Sequence, residues 1–562
     1  MPIWGVAATA LAAPWEQVAE EPWTSLRQWS NEVEIGDLDG DGDLDVVLAN
    51  GGDYSDGGSP EPTIVLVNDG LGTFVRLDRP ELSGLHRTAK IRDLTGDGAP
   101  DLFLPGAWQA PSVLLAGDGF GGLVDASAGL PVDPLSIGDA EAGDVDGDGD
   151  LDLVLSDSGP GNALFGQGEL TRLWLNDGAG TFTDATAQLP AQAIRWSWDL
   201  ELADVDLDFD LDLAISCKTC SGSFLFQNDG LGTFVDVSGG LPQRSNNYEF
   251  ESLDLTADGL PDLVTINDGP GLGERILVNT GAGFADETAA RYPFDNGDDD
   301  NVAVLLDFEH DGDVDVLIGS LSGDDRVFVN DGAGVFSLDP DVLQGPNTPG
   351  TLGMAVGDLD GDARLDVVMC QGEAAEPDGW YRGVDVPVDG LPPVILQVEP
   401  LPEPVAFPIA VRAELHDRKT PIGPDDAAVV LGWSTATDGG SIPMDHVGHV
   451  VWRGTFDGPT AGQAGTWHVC ATDRAGNEAC SPDVAFTASG GTTSTDGDAD
   501  TDADADSDTD ADTDTDSDAD TDADADADPG ADGSGCGCRT GTGGGWWAVA
   551  LVAVARRRTR RA

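Results

Sequence analysis

Residues 37–45 read Asp-Leu-Asp-Gly-Asp-Gly-Asp-Leu-Asp, with an acid at every second position, and run directly into the apolar stretch Val46-Val47-Leu48-Ala49. The nine-residue pattern starts again at Asp93 (DLTGDGAPD), Asp144 (DVDGDGDLD), Asp204 (DVDLDFDLD), Asp254 (DLTADGLPD), Asp307 (DFEHDGDVD) and Asp358 (DLDGDARLD). That makes seven copies at intervals of 50 to 60 residues. Self-similarity at such a period marks a repeat architecture, in which each unit is one supersecondary element. Each copy leads into a short apolar run rich in β-branched residues, which at this length reads as a buried strand. A second signature follows in most copies and ends at Phe74, Phe182, Phe234, Phe284 and Phe336. Its Asn-Asp-Gly core between apolar runs, as in LVNDGLGTF, predicts a hairpin.

Four short strands with their loops fill an interval of this length, so the seven copies predict an all-β, seven-bladed β-propeller. The terminal aromatic of each hairpin precedes the next aspartate loop by 19 to 23 residues. The seventh copy has no hairpin of its own, whereas Trp15 stands 22 residues before Asp37. The N-terminal segment is therefore expected to supply the outer strand of the seventh blade and to leave the ring without an open edge.

In D-x-D-x-D-G-x-x-D the side chains at positions 1, 3, 5 and 9 and the backbone carbonyl at position 7 can converge on one hard cation. Glycine at position 6 permits the sharp turn. Oxygen donors without His or Cys select calcium. The candidate ligands are Asp37, Asp39, Asp41, Asp43 and Asp45 in the first copy, Asp93, Thr95, Asp97, Ala99 and Asp101 in the second, and Asp144, Asp146, Asp148, Asp150 and Asp152 in the third. The fourth offers Asp204, Asp206, Asp208 and Asp212, and the fifth Asp254, Thr256, Asp258, Leu260 and Asp262. The sixth offers Asp307, Glu309, Asp311, Asp313 and Asp315, and the seventh Asp358, Asp360, Asp362 and Asp366. Thr95 and Thr256 lower the ligand charge, and Phe209 and Ala363 stand where glycine is expected. The expectation is five to seven calcium ions, with the fourth and seventh loops the weakest. Position 12 is Leu48 in the first copy and Leu155 in the third, inside strands, which excludes an EF-hand.

Loops and hairpins recurring together over residues 14–390 resemble the FG-GAP and VCBS repeat family, which includes the propeller of integrin alpha subunits. The resemblance implies calcium of structural role and a propeller used for binding proteins or glycans. It does not name the ligand.

Counting back from each first aspartate, positions three and five carry Glu34 and Glu32, Lys90 and Thr88, Glu141 and Asp139, Glu201 and Asp199, and Glu251 and Glu249. The last two copies have Val304 with Val302 and Ala355 with Gly353. Period-two alternation places each pair on one side of an innermost strand, so acids are expected to line part of the axial channel. Trp196, Trp198 and Tyr248 lie beside them. Trp198, Asp199, Tyr248 and Glu249 form a candidate ligand patch in which an aromatic face stacks on a sugar and an acid accepts its hydroxyls. Packing between blades is the more frequent use of such aromatics. Cys217 and Cys220 read as a local disulfide, and Cys470 and Cys480 could bridge a hairpin. His446 and His449 could form half of a metal site but read better as a surface loop.

Beyond the repeats, residues 391–488 alternate strand and turn and resemble bacterial immunoglobulin-like β-sandwich modules. The segment 489–535 has aspartate at nearly every second position and no side chains able to build a core, so it reads as a disordered stalk extended by its own charge. Residues 536–562 place Cys536 and Cys538 before ten apolar residues and an arginine cluster. That run is too short to span a bilayer, and it resembles the MYXO-CTERM sorting tail of myxobacterial surface proteins. Residues 1–13 read as the back half of a signal peptide whose start lies upstream. The net charge of -78 disfavours any nucleic-acid partner. Together these features predict a monomeric protein, secreted and anchored at the outer cell surface, that touches membrane only through its tail and is not an enzyme. It would bind an extracellular protein or glycan. The rival expectation is a carbohydrate-active protein, a lectin or polysaccharide lyase, on the same propeller.

Overall fold

The strand that precedes each aspartate loop pairs antiparallel with the strand that follows it, and two further strands complete a four-stranded sheet. Seven such sheets are present. In the first blade they are Ser30–Gly36, Asp45–Asn50, Ile64–Val67 and Val75–Leu77. The computed structural model describes residues 14–489 apart from 19–22, 53–56, 133, 160–167, 268–272, 293–297, 340–349 and 373–376. The leader at 1–13, the aspartate-rich stalk from 490 onward and the sorting tail lie outside the described residues.

The second strand of a blade is buried at every position in Asp45–Asn50, Asp152–Asp157, Asp262–Asn267 and Asp315–Ser320. Blades pack on both faces of these strands, so they read as continuous apolar runs rather than alternating ones. The asparagine of the hairpin signature adds a polar tie. Asn176 Nδ2 donates to Leu94 O at 2.9 Å, Asn228 Nδ2 to Val145 O at 2.8 Å, Asn279 Nδ2 to Val205 O at 2.7 Å and Asn330 Nδ2 to Leu255 O at 3.0 Å. Each acceptor is the second residue of the preceding blade's aspartate loop. Asn68 Nδ2 makes the same bond to Leu359 O at 2.9 Å, from blade one back to blade seven, so the tie crosses the closure point.

Closure uses the N-terminal segment. Trp15–Gln17 pairs with Gly379–Gly383 as the outer strand of blade seven, with Trp15 opposite Gly383. The indole of Trp15 is 2 % exposed, donates to Leu365 O at 2.7 Å and packs against Phe308 at 5.2 Å. Trp23 then stacks on Trp380 of the seventh blade.

Residues 394–487 form eight strands around a second core that includes Val411, Leu415, Leu431, Trp452, Phe456, Trp467 and Phe486. Hydrogen bonding runs through all eight without a break, because Gly439–Gly448 pairs with Ala427–Thr435 through residues 439–444 and with Val451–Phe456 through residues 445–448. A register shift between His446 and Gly448 turns the chain from one pairing to the other. Propeller and second domain belong to one compact unit. The second domain covers the end of the ring that carries the aspartate loops. Asp144 N donates to Val447 O at 2.8 Å, Asp307 N to Arg418 O at 2.9 Å and Asp37 N to Asp425 Oδ2 at 3.0 Å.

Candidate functional sites: aspartate loops and axial cavity

All seven aspartate loops share one backbone, with left-handed residues at positions 4 and 6. In the first loop these are Gly40 and Gly42, at φ 74° and 96°. The fourth loop reaches the same conformation with Leu207 and Phe209 at φ 63° and 70°, and the seventh with Ala363 at 60°. Those side chains cost about 1–2 kcal/mol each in this region, and the surrounding contacts hold them there. Phe209 is buried, with the Arg412 guanidinium 5.6 Å from its ring. The fourth and seventh loops are thus as well formed in backbone as the other five.

Position 1 organises each turn. Asp37 Oδ1 accepts from Gly40 N at 2.8 Å and Oδ2 from Gly42 N at 2.9 Å. Position 9 faces inward and anchors the loop to its blade: Asp45 accepts from Leu38 N and Asn68 N, and Asp315 from Phe308 N and Asn330 N. Read from sequence only as a ligand, this aspartate is also a structural acceptor. Position 3 is different. One side-chain oxygen of Asp39, Glu309 and Asp360 is buried without a hydrogen-bond partner. Buried oxygens of this kind are rare unless an ion or water serves them. Ligand oxygens of Asp37, Asp39 and Asp41, of Asp144, Asp146 and Asp152, of Asp204, Asp206 and Asp212, and of Asp358, Asp360 and Asp362 lie within 4.8 Å of one another in each loop. Burial first, and neighbouring carboxylates after it, push Asp45 and Asp366 up to about 7, Asp152 and Asp212 to about 8 and Asp315 to about 9. Hard oxygen donors, crowded negative charge and orphaned position-3 atoms fit calcium.

The inner strands enclose a cavity of about 380 Å3 on the ring axis. Glu32, Glu34, Asp139, Glu141, Asp199, Glu201, Glu249 and Glu251 line it with Lys90 and Arg92. Lys90 Nζ lies 2.9 Å from Glu141 and 3.5 Å from Glu32, and Arg92 lies 2.8 Å from Glu34. The acids at position minus five are also blade-to-blade ties. Asp139 accepts from Leu200 N at 2.8 Å, Asp199 from Phe250 N at 2.9 Å and Glu249 from Ala303 N at 2.8 Å. Burial, then neighbouring acids, hold Asp199 and Glu249 well above the usual carboxylate range, and Glu32 is raised to about 7 by burial.

Strict alternation does not account for the rim. Register shifts in the inner strands between Ser30 and Glu32, Asn247 and Glu249, and Asp300 and Val302 give one extra residue each. These bulges account for Asn31, Tyr248 and Asn301 reaching the cavity. Arg87 lies 4.0 Å from the ring centre of Trp198, and Lys218 lies 4.1 Å from that of Tyr248 and 4.8 Å from that of Trp196. The aromatics of the candidate patch are therefore each engaged on one face by the protein's own cations. Lys218 is carried by the Cys217–Cys220 disulfide loop; Cys470 and Cys480 are bridged as well.

The HVGH segment at 446–449 is not a surface loop. His446 is 7 % exposed, both histidines line the cavity, and His449 Nε2 lies 2.9 Å from Ser252 O and 3.3 Å from Glu201 Oε1. The hairpin is driven inward because Val447 and Val450 join the apolar core of the blades. With Thr420 and Ile422 it stands at the loop end of the cavity. Sequence reasoning missed this contact, since no local pattern announces which loop of one domain enters another.

Comparison with known proteins agrees on the repeat. The FG-GAP-like repeat family matches residues 37–104, 144–215 and 307–369. The chain is 30 % identical over 214 residues to Cartilage acidic protein 1 of Xenopus tropicalis, which covers 35 % of this chain; the chain spans 32 % of that relative's length. Among solved structures, BBS1N in complex with ARL6DN aligns over 67 % of this chain and 98 % of that one, at a TM-score of 0.41 and 11 % identity. The core factor of S. cerevisiae aligns over 66 % and 61 %, at 0.36 and 10 %.

Proposed function

We propose that this chain is a calcium-stabilised recognition protein displayed at the cell surface, whose propeller binds an extracellular protein or glycan at the rim of the axial cavity. The observation that carries the reading is the cavity itself. It is strongly acidic, its loop end is occupied by the second domain, and its other end is ringed by Asn31, Arg87, Trp198, Tyr248 and Asn301. Concave sites of roughly 300–1,000 Å3 with a few convergent polar groups are the usual form of a ligand pocket. The negative interior favours a ligand that presents hydroxyl or amino donors. Calcium in the aspartate loops would offset the charge of the ring, and Asp37, Asp39, Asp41 and their counterparts would hold it.

A carbohydrate-active protein is the second reading, because His446, His449 and Lys90 share the cavity with carboxylates. A lyase needs a free base beside a charge neutraliser. Here His449 is engaged by Glu201 and Ser252, and Lys90 by Glu141 and Glu32. His86 lies outside the cavity lining, its pKa lowered by burial to about 4. Binding without turnover is favoured.

The test is a glycan and cell-surface binding screen with the Asp199→Asn, Glu249→Gln double variant, whose amide oxygens still accept the blade-to-blade hydrogen bonds. Loss of a wild-type ligand in that variant supports the cavity reading. Binding that is unchanged in it and in Trp198→Ala moves the ligand elsewhere.

A further inference from the structure

A buried carboxylate beside the fourth aspartate loop comes from outside the propeller. Glu414, on strand Ile409–His416 of the second domain, is 0 % exposed, and neither of its side-chain oxygens has a hydrogen-bond partner of normal geometry. Its polar neighbours are Gln397, opposite it on the paired strand, and the carboxyl of Asp204, position 1 of the fourth loop. A fully buried carboxylate beside a second carboxylate is a costly arrangement unless a proton or a cation lies between them.

The fourth loop is also gripped by the second domain. Arg412 Nη1 donates to Phe209 O at 2.9 Å and pairs with Asp210, and Gln397 Nε2 reaches Leu207 O at 3.4 Å. These contacts hold the two left-handed residues of the one loop that lacks both glycines. Within it, ligand oxygens of Asp204, Asp206 and Asp212 already lie within 4.8 Å of one another.

We propose that Glu414 joins Asp204, Asp206, Asp208 and Asp212 in a divalent-cation site shared between the propeller and the second domain, so that calcium in the fourth loop fastens the two domains together. The inference rests on the calcium reading of the aspartate loops and adds a ligand that the nine-residue pattern does not contain. Five carboxylates at one site would make the fourth loop, which the sequence marks as weak, a strong binder. They would also make domain docking depend on the ion.

Hydrogen exchange of the full chain, followed by mass spectrometry across a calcium titration, tests this loop by loop. In the wild type, calcium should slow exchange in both the 37–45 and 204–212 segments. Glu414→Gln, close in size and still able to donate to Asp204, should raise the calcium midpoint at 204–212 by about tenfold or more and leave that at 37–45 unchanged. Glu414→Leu should raise the midpoint at 204–212 at least as far, again without moving that at 37–45. If 37–45 responds but 204–212 responds identically in wild type and both variants, Glu414 and Asp204 share a proton only and the proposal falls by itself. If no loop of the wild type responds, the calcium reading falls and takes the proposal with it.

Discussion

His449 of the second domain places its Nε2 3.3 Å from Oε1 of Glu201 on the inner strand of blade four. The pair joins the domains at the buried end of the cavity, where Glu141 adds a further negative charge. Burial alone would lower the histidine's pKa, but Glu201, the Ser252 carbonyl and Glu141 raise it above its ordinary value. Burial raises Glu201 as well. A histidine whose folded pKa exceeds its unfolded one contributes stability that is full below the unfolded value and is lost as pH rises through the folded one. A carboxyl raised by burial acts in the same direction. Docking should therefore weaken as pH rises above about 6.5, the ordinary histidine value. Thermal denaturation at constant calcium should show a midpoint that falls with pH in the wild type and falls less in His449→Gln. Equal slopes would remove the pair from the docking interface.

Chelation should expose a second pH dependence with the same sign. The position-9 aspartates are raised by burial to about 7 at Asp45, Asp262 and Asp366 and about 8 at Asp152 and Asp212. Without calcium, the folded chain holds more protons than the unfolded one between the ordinary carboxyl value and these raised values, so stability drops across that window. Calcium supplies the missing positive charge and should flatten the slope. Ligand at 100 times its Kd adds about 2.7 kcal/mol per site. Melting in EDTA should be far less stable near pH 8 than near pH 5, with the gap closed by millimolar calcium; a calcium-independent profile would contradict metal in these loops.

The seven blades were legible because their chemistry is local and periodic. The aspartate loop, its following strand and the Trp15 closure all follow from spacing. The asparagine of Asn-Asp-Gly was readable only as a turn residue, although its side chain ties neighbouring blades together. Asn31 and Asn301 reach the cavity because of strand bulges, which two-residue alternation cannot anticipate. His449, Glu414 and Thr420 meet the propeller through contacts 197, 210 and 115 residues apart in sequence. Sequence distance of that kind leaves no periodic trace.

The blade ties yield a direct test at Asn228. Its Nδ2 donates to Val145 O at 2.8 Å and to Leu211 O at 3.2 Å, both buried. Asn228→Ala leaves two carbonyls without that partner and should cost about 1–3 kcal/mol in equilibrium denaturation. Asn228→Asp should cost at least as much, since a carboxylate offers no donor. A near-neutral effect in both would mean that apolar packing alone holds the blades together.

Ala363 offers a change in the opposite direction. It sits at φ 60° in the seventh loop, where five of the other loops have glycine. Its amide still donates to Asp358 Oδ2 at 2.8 Å, and glycine keeps that bond while relieving the left-handed penalty. Ala363→Gly should stabilise by up to about 1 kcal/mol and tighten calcium binding at 358–366. Phe209→Gly should not stabilise in the same way, because it also discards a buried ring packed under Arg412.

Ring closure depends on a strand only three residues long, Trp15–Gln17. Its backbone supplies the ladder to Gly379–Gly383, but the side chain of Trp15 supplies most of the buried apolar surface, against Phe308 and the core that includes Val327, Val367 and Tyr381. Trp15→Ala removes that contact and the bond to Leu365 O, a change that in a packed core costs about 3–5 kcal/mol. Trp15→Phe keeps most of the ring contact and loses the donor, so it should cost less. The loss should be local at first: proteolysis or hydrogen exchange in Trp15→Ala should open the seventh blade before the fourth. If both blades open together at the wild-type rate, the N-terminal strand decorates the ring without locking it.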